Sequence, residues 1–215
     1  MKLKYLRKEC ELSESNLIVT LWKRYIFKKK WGKNILAHDK VQIKNIKNIN
    51  TNGLLKIGID YFGFSTKYDW TFLNIRGELT FLGNYSIGKG CRFDIGPDAI
   101  VEFGNGGYMS PNTHVIIMNR LVVGNDCAIS WGCQFLDEDF HTIEYSAKKI
   151  ISDKSILIGN HVWIGSNSAI YKGVHIANGV VVASNSVVKS SFNEENILIG
   201  GNPAKIIKRN IIWKY

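Results

Sequence analysis

Residues 158–193 read IGNHVW IGSNSA IYKGVH IANGVV VASNSV VKSSFN, six consecutive blocks of six residues that each begin with Ile or Val. A repeat of six matches neither the 3.6-residue period of an α-helix nor the two-residue alternation of a single strand. It predicts a coil in which three blocks complete one triangular turn of a parallel β-helix, with turns stacked at about 4.8 Å. The branched residue points inward, and Gly, Asn and Ser form the turns.

The same spacing recurs earlier in the chain, in a different frame. Apolar residues separated by multiples of six are Ile75, Phe81, Ile87, Phe93, Ile117, Val123, Ile129 and Phe135. The interval from Phe135 to Ile158 is not a multiple of six, so a loop must leave the coil there, at about residues 137–155. A rigid coil with one projecting loop is a common way to position reactive groups.

Composition fits one elongated domain. The chain has 215 residues, of which 45% are apolar and 21% charged. No stretch approaches the roughly 18 apolar residues of a transmembrane helix, and no apolar segment typical of a secretory signal follows Met1, so a cytoplasmic location is expected. We predict an all-β solenoid at 35–200, irregular in its first coils and at Asp60–Trp70, preceded by a helical segment at 1–34 and followed by a tail at 201–215.

Positive charge is concentrated in residues 1–34, which hold ten Lys or Arg against three Glu, while the whole chain carries a net +10. Within this segment the pattern predicts an amphipathic helix that begins at a Ser13 cap and ends at Gly32. Such a helix covers the open end of a solenoid, contacts a membrane surface, or captures an acidic polymer. No nucleic-acid-binding motif accompanies the charge, so nucleic acid is not expected as a partner.

Three motifs carry a family resemblance. They are Asp137-Glu-Asp139-Phe-His141 in the loop, Asn160-His-Val-Trp163 where the coil resumes, and a C-terminal part with Gly200-Gly-Asn-Pro203 and Asn210-Ile-Ile-Trp213. Over about residues 117–213 the chain resembles the hexapeptide-repeat, left-handed β-helix acetyltransferases, and is most similar to bacterial capsular polysaccharide O-acetyltransferases of the polysialic acid type. The resemblance implies a left-handed coil, a homotrimer with active sites between subunits, and acetyl-CoA as donor.

The resemblance also assigns site residues. Acetyl transfer to a hydroxyl needs a base, and His141 is the candidate; a carboxylate, Asp139 in preference to Asp137, would orient its imidazole. Trp163 faces outward and would help to place the acetyl donor. Trp131 is also expected to face outward and to line the same cleft or an interface. By resemblance, the donor-binding residues are Trp163, Ser166, Ser184, Lys189, Ser190, Lys205 and Lys208, of which Lys208 stands where Arg is frequent. No metal site is expected.

Other candidate residues are weaker. His161 and His175 fall at outward turn positions that favour structural or surface roles. His38 has no informative context, and His114, which precedes the coil that begins at Ile117, is a further candidate for the cleft. Inward positions predict that Cys91, Cys127 and Cys133 are buried reduced thiols, with Cys10 in the N-terminal segment. An acyl-enzyme on Cys133 is therefore the less favoured mechanism, because an inward sulfur is hidden from substrate.

The leading hypothesis is O-acetylation of a cell-surface glycan, either a capsular or a lipopolysaccharide sugar, and the basic N-terminal segment favours an acidic one. Three alternatives stay open. The first is N-acetylation of an amino nucleotide-sugar, although no Gly-x-Gly-x-x-Gly fingerprint is present. The second is a zinc hydratase, which needs three converging histidines. The third is a non-catalytic trimeric scaffold at the membrane, which would not require the pairing of His141 with Trp163.

Overall fold

The computed structural model describes residues 3–141 and 153–215; the rest of the predicted loop, 142–152, lies outside the described residues. The described residues form two N-terminal helices and a three-sided parallel β-helix, so the predicted solenoid is confirmed. Within these two ranges no helix is both long and apolar enough to cross a membrane.

The N-terminal segment contains helix α1, Leu3–Leu12, and helix α2, Leu17–Trp31. The predicted start at Ser13 is wrong. Asn16 caps α2 by accepting a hydrogen bond from Val19 N at 3.1 Å, whereas the Ser13 hydroxyl bonds to the Cys10 carbonyl and the Ser15 hydroxyl and is not free to cap. Gly32 ends α2 as predicted, with the left-handed φ of 67° that glycine adopts without strain.

Helix α2 packs on the first coil. Lys23 Nζ donates to the carbonyls of His38, Asp39 and Val41 at 2.8–3.0 Å, and Phe27 packs against the apolar core. The helix therefore covers the N-terminal end of the solenoid, which shields the inward side chains of the first coil from water.

Each coil contributes three strands, one to each sheet, and the first strands of all coils form sheet A, the second sheet B and the third sheet C. The first two coils contain β1 Ile35–Ala37, β2 Val41–Lys44, a short 3₁₀ helix Ile46–Asn48 and β3 Ile49–Thr51, then β4 Leu55–Ile57, β5 Thr71–Ile75 and β6 Glu78–Phe81. The next two contain β7 Tyr85–Ile87, β8 Arg92–Ile95, β9 Ile100–Phe103, β10 Tyr108–Met109, β11 His114–Ile117 and β12 Arg120–Val123. No strand occurs at 58–70, between β4 and β5, in agreement with the predicted irregular insertion.

The remaining coils lie on both sides of the loop in the sequence. They contain β13 Ala128–Ile129, β14 Gln134–Leu136, β15 Ile156–Ile158, β16 Trp163–Ile164, β17 Ala169–Tyr171, β18 His175–Ile176, β19 Val181–Val182 and β20 Val187–Val188. Sheet A then continues with β21 Leu198–Gly201 and ends with β22 Ala204–Lys208, which is antiparallel to β21.

Coil length changes along the axis. In the upper coils, residues 156–199, the partners in strands β15–β20 are 18 residues apart, as in the pair Trp163 and Val181, so three hexads per turn are confirmed there. The last pairing, Val182 with Ile199, is 17 residues apart. In the lower coils, residues 35–136, the spacing is 20 or more, as in the pair Val115 and Phe135. Four-residue strands such as β8 turn two side chains inward, and Phe81, Phe93 and Phe103 fill the wider interior.

Candidate active site

The loop leaves the coil at the corner between sheets B and C, where β14 ends. Asp137 is fully buried at this corner, and its carboxylate accepts hydrogen bonds from the backbone N–H groups of Met118, Asn119 and Arg120 at 2.7–3.0 Å. These bonds give the backbone N–H groups of the turn in the coil below their hydrogen-bond acceptor. In the structure Asp137 therefore holds the corner and does not contact His141.

Two ion pairs fix the loop ends to the coil. Glu138 pairs with Lys154, so the chain leaving the coil is tied to the chain returning to it. A hydrogen bond from Lys154 lowers the pKa of Glu138. The Asp139 carboxylate pairs with Lys172, which follows β17 at the same corner one coil higher. These contacts hold the described part of the loop against the B–C corner.

His141 is exposed, and its Nδ1 lies 3.3 Å from the main-chain oxygen of Asp139. A carbonyl oxygen only accepts, so this hydrogen bond requires the proton on Nδ1 and leaves Nε2 as the acceptor. The contact is made by the backbone of Asp139, while its carboxylate binds Lys172. The catalytic roles of His141 and Asp139 stay predictions.

Trp163 lies on a different side of the prism. It faces outward from β16, and its Nε1 donates to Ser130 Oγ at 3.1 Å. It lines a groove of about 550 Å³ on the outer face of sheet A. The predicted outward orientation of Trp131 is confirmed, and Trp131 lines the same groove. This surface, the tryptophan groove, is formed by Phe62, Tyr108, Ser110, Ala128, Ser130, Trp131, Trp163, Trp213, Lys214 and Tyr215.

Two segments outside the hexapeptide pattern form the walls of this groove. One is the insertion at 58–70, whose Phe64 ring meets Trp131 edge-on at 5.6 Å. The other is the C-terminal tail: Trp213 stacks on the His161 ring at 4.0 Å and donates from Nε1 to the His161 carbonyl at 2.9 Å. His161 therefore has the structural role predicted for it.

Sequence reasoning did not predict that the tail folds back. Besides the stacking of Trp213, the Tyr215 hydroxyl donates to the Asp126 carbonyl at 2.7 Å. Two features of the sequence could have indicated this fold-back. The tail carries the aromatic residues Trp213 and Tyr215, and before them stands Asn210, a residue type that tolerates the left-handed backbone conformation it adopts here.

The predicted donor-binding residues fall into two groups. Ser166 and Ser184 stack at the corner between sheets A and B, where their hydroxyls are 3.2 Å apart. Lys205 and Lys208 are exposed on β22, at the upper edge of sheet A. Lys189 and Ser190 instead follow β20 and are exposed at the B–C corner.

The two groups lie on opposite sides of the prism. In a triangle formed by sheets A, B and C, the B–C corner is opposite face A. His141, Lys189 and Ser190 follow sheet B at that corner, whereas Trp163 is on face A. One chain therefore does not bring His141 and Trp163 together.

The remaining histidines are His38, His114 and His175. His38 is buried, and burial together with nearby Lys89 lowers its pKa to about 4, so it is neutral near pH 7. His114 is exposed on sheet B, and His175 Nδ1 contacts Asn193 Oδ1 at 2.8 Å. In residues 3–141 and 153–215, no three His, Cys, Asp or Glu side chains converge as metal ligands.

All four cysteines are buried and free, as predicted. Burial raises the pKa of Cys133 to about 11 and that of Cys91 to about 12. Such thiols are protonated near neutral pH, and the thiolate is the nucleophilic form. The geometry therefore does not favour an acyl-enzyme on Cys133.

Comparisons with known proteins place this geometry in a family. Residues 155–190 match the family described as "Bacterial transferase hexapeptide (six repeats)". The chain is 41% identical over its whole length, and over 96% of the other chain, to an "Uncharacterized 24.8 kDa protein in cps region" of Klebsiella pneumoniae. A crystal structure of the polysialic acid O-acetyltransferase OatWY aligns at a TM-score of 0.60 and 28% identity, covering 85% of this chain and 89% of that chain. The chain belongs to the hexapeptide-repeat acetyltransferases.

This membership confirms the left-handed β-helix and the resemblance to capsular O-acetyltransferases. A further hexapeptide-repeat relative is the "Polysialic acid O-acetyltransferase" of Neisseria meningitidis, 45% identical over 97 residues. That alignment covers 44% of this chain and 45% of the relative, so the chain spans less than half of that protein's length.

Proposed function

We propose that the protein transfers acetyl from acetyl-CoA to a hydroxyl group of a cell-surface glycan, with His141 as the general base. The observation that carries this proposal is the exposed His141 imidazole, whose Nδ1 faces a carbonyl and whose Nε2 is an acceptor. Neutral imidazole is the most common base for such proton transfers near neutral pH. Membership of an acetyltransferase family supports the group transferred, and the relatives named for polysialic acid support a glycan acceptor.

The reaction needs no covalent enzyme intermediate. Acetyl-CoA supplies the acetyl group as an activated thioester. His141 Nε2 accepts the proton of the acceptor hydroxyl while the hydroxyl oxygen bonds to the acetyl carbon, and it returns that proton to the departing sulfur. The Asp139 carbonyl keeps the imidazole in the required tautomer and stabilises the positive charge that forms on the ring.

The A–B corner fits the donor. Coenzyme A is a long polyanion, so it needs hydrogen-bond donors along its arm and cations at one end. Above Trp163, the stacked hydroxyls of Ser166 and Ser184 lead toward the exposed ammonium groups of Lys205 and Lys208. We infer that the thioester lies beside Trp163 and the phosphates lie near β22.

The tryptophan groove fits the acceptor. It extends from Trp163 toward the lower coils, away from Ser166 and Ser184, so a donor bound above leaves it open. Its walls are aromatic and it holds few polar groups, which is the usual composition of a site for a small organic ring such as a sugar. Lys214 at the rim suits an acidic sugar.

The protein acts as a homotrimer in this proposal. The B–C corner of one copy, with His141, Lys189 and Ser190, meets face A of the next copy, with Trp163. A cyclic trimer repeats this contact three times and closes on itself. The arrangement unites the two groups of predicted donor-binding residues, which a single chain keeps apart.

The test is an acetyl-transfer assay with labelled acetyl-CoA, a panel of capsular polymers and free amino nucleotide-sugars. We expect label on a glycan hydroxyl, and we expect His141→Ala to lower kcat by about 10²–10⁴-fold while the oligomer is retained. His114→Ala is the matched control, because His114 is also exposed but begins a strand of sheet B in the lower coils, away from the B–C corner. Label on amino groups alone, or full activity of His141→Ala, would overturn the proposal.

A further inference from the structure

Helix α2 has a second apolar face that nothing in the described chain covers. Its inward face uses Thr20, Lys23 and Phe27 to contact the first coil. On the opposite side, Ile18, Trp22 and Tyr25 follow the spacing i, i+4, i+7 and are 78%, 62% and 55% exposed. A helix that only covered the end of the solenoid would carry polar residues there.

Cations border this apolar face. A shallow pocket of about 460 Å³ is lined by Leu21, Arg24, Tyr25, Lys28 and Lys29, so apolar and basic side chains lie side by side there. The Lys29 ammonium group lies 5.3 Å from the centre of the Tyr25 ring. Lys28, Lys29 and Lys30 together form the last turn of α2.

These charges are not neutralised locally. The three acidic residues of the segment are engaged elsewhere: Glu9 pairs with Lys56, Glu11 pairs with Arg7, and Glu14 accepts from Lys67 N. Among the described residues, neither Arg24 nor Lys28–Lys30 forms an ion pair with a carboxylate. The outward face of α2 therefore combines exposed aromatic rings with uncompensated positive charge.

We propose that the outward face of α2 docks on an anionic membrane surface, with Trp22 and Tyr25 at the headgroup level and the lysines against lipid phosphates. Tryptophan and tyrosine favour the membrane–water interface, and amphipathic helices with basic residues lie in its plane. Charge complementarity selects this occupant over a second copy of the same face, since pairing two such faces would oppose their lysines.

The position of α2 separates this surface from the proposed catalytic cleft. Five strand-to-strand steps along sheet A lie between β1, beside α2, and β16, which carries Trp163. At about 4.8 Å per step, the two sites are roughly 24 Å apart along the axis. The surface holds the enzyme at the membrane without occupying the groove, so the inference is independent of the proposed function.

Co-sedimentation with vesicles tests the inference. Wild-type protein should sediment with vesicles of 30% phosphatidylglycerol in phosphatidylcholine at low salt, and should stay in solution with pure phosphatidylcholine. Replacing Lys28, Lys29 and Lys30 by Gln should weaken binding by about tenfold or more. Trp22→Ser should weaken it by about fivefold or more. Circular dichroism checks that each variant is folded.

Two matched controls distinguish binding by this face of α2 from a general effect of positive charge or of exposed aromatic rings. Replacing Lys44, Lys47 and Lys67 by Gln removes three other exposed charges, and Tyr61→Ser removes an aromatic ring that is 62% exposed, as Trp22 is. Both controls should bind within about twofold of wild type. Failure of wild type to sediment, or equal losses in the controls, would overturn the inference. Binding that needs the lysines but not Trp22 would also overturn it, in favour of capture of an acidic polymer.

Discussion

The lower coils, residues 35–136, and the upper coils, residues 156–199, fill the interior of the β-helix with different side chains. Lower strands such as β8 and β12 turn two side chains inward, and aromatic rings fill the space, with Phe81 and Phe103 stacked at 5.3 Å. Upper strands such as β16 and β18 turn one branched aliphatic side chain inward. The interior is therefore wide below the loop and narrow above it.

The proposed site lies where the two regions meet. The loop leaves after β14, the last strand with a phenylalanine inside, and the coil resumes with 18-residue spacing. The regular upper coils supply the stacked hydroxyls proposed for the donor. The aromatic groove proposed for the acceptor is formed by the lower coils and the insertion at 58–70 together with Trp163 and the C-terminal tail.

The largest expected effect on stability comes from removing an aromatic ring from the wide interior. Phe103 lies 5.0 Å from Tyr85 and 6.4 Å from Phe93, measured between ring centres. We expect Phe103→Ala to lower the free energy of unfolding by about 3–5 kcal/mol. Val182→Ala, which removes one aliphatic side chain from the narrow interior, should cost about 1.5–2.5 kcal/mol. Urea unfolding followed by circular dichroism measures both, and equal losses would remove the distinction between the regions.

A smaller effect is expected at the junction. Asp137→Ala leaves the backbone N–H groups of Met118, Asn119 and Arg120 without their acceptor. We expect a loss of about 2–3 kcal/mol in the free energy of unfolding, because buried donors lose their partner. Asp139→Ala is the control, since its exposed carboxylate accepts no backbone hydrogen bond from the coil below. An Asp137→Ala variant as stable as wild type would mean that the corner does not depend on this carboxylate.

The smallest effect is a pH dependence of the loop anchor. Pairing with Lys154 lowers the pKa of Glu138 below its unfolded value of about 4.3. The stabilisation is therefore present above that unfolded value and is lost as pH falls through the folded one. Because the pair is partly exposed, it is worth at most about 1 kcal/mol. The difference in unfolding free energy between wild type and Glu138→Gln should vanish as the pH falls and Glu138 becomes protonated; a difference that does not shrink in acid would contradict the assignment.

The upper region was predictable from the sequence because its pattern is local. Each hexad places its first residue inward, so the period itself predicts the coil. The first residues of the six hexads are buried as predicted: Ile158, Ile164, Ile170, Ile176, Val182 and Val188. In the lower coils the sequence also shows apolar residues six apart, but this spacing did not reveal that each turn is longer. A strand with two inward residues still leaves apolar residues six positions apart. The start of α2 was missed because Ser13 and Asn16 are equally good caps by type.

For the site, sequence motifs identified residues but not their surroundings. The outward positions of Trp163 and Trp131 followed from the hexad register. The fold-back of Trp213 onto His161 and the use of the Asp139 carbonyl beside His141 depend on contacts between distant segments, which no local spacing encodes. That His141 lies opposite face A likewise could not be predicted from the sequence, because it depends on how the strands are arranged in the three sheets.

The central claim is that His141 of one copy acts beside Trp163 of the next, and mixing two inactive variants tests it most directly. His141→Ala and Trp163→Ala, co-expressed in equal amounts, form mixed trimers in which one cleft combines an intact histidine with an intact tryptophan. Random assembly then restores about a quarter of the wild-type acetyl transfer. Activity no higher than the sum of the two variants measured separately, in trimers shown to be mixed, would contradict the account.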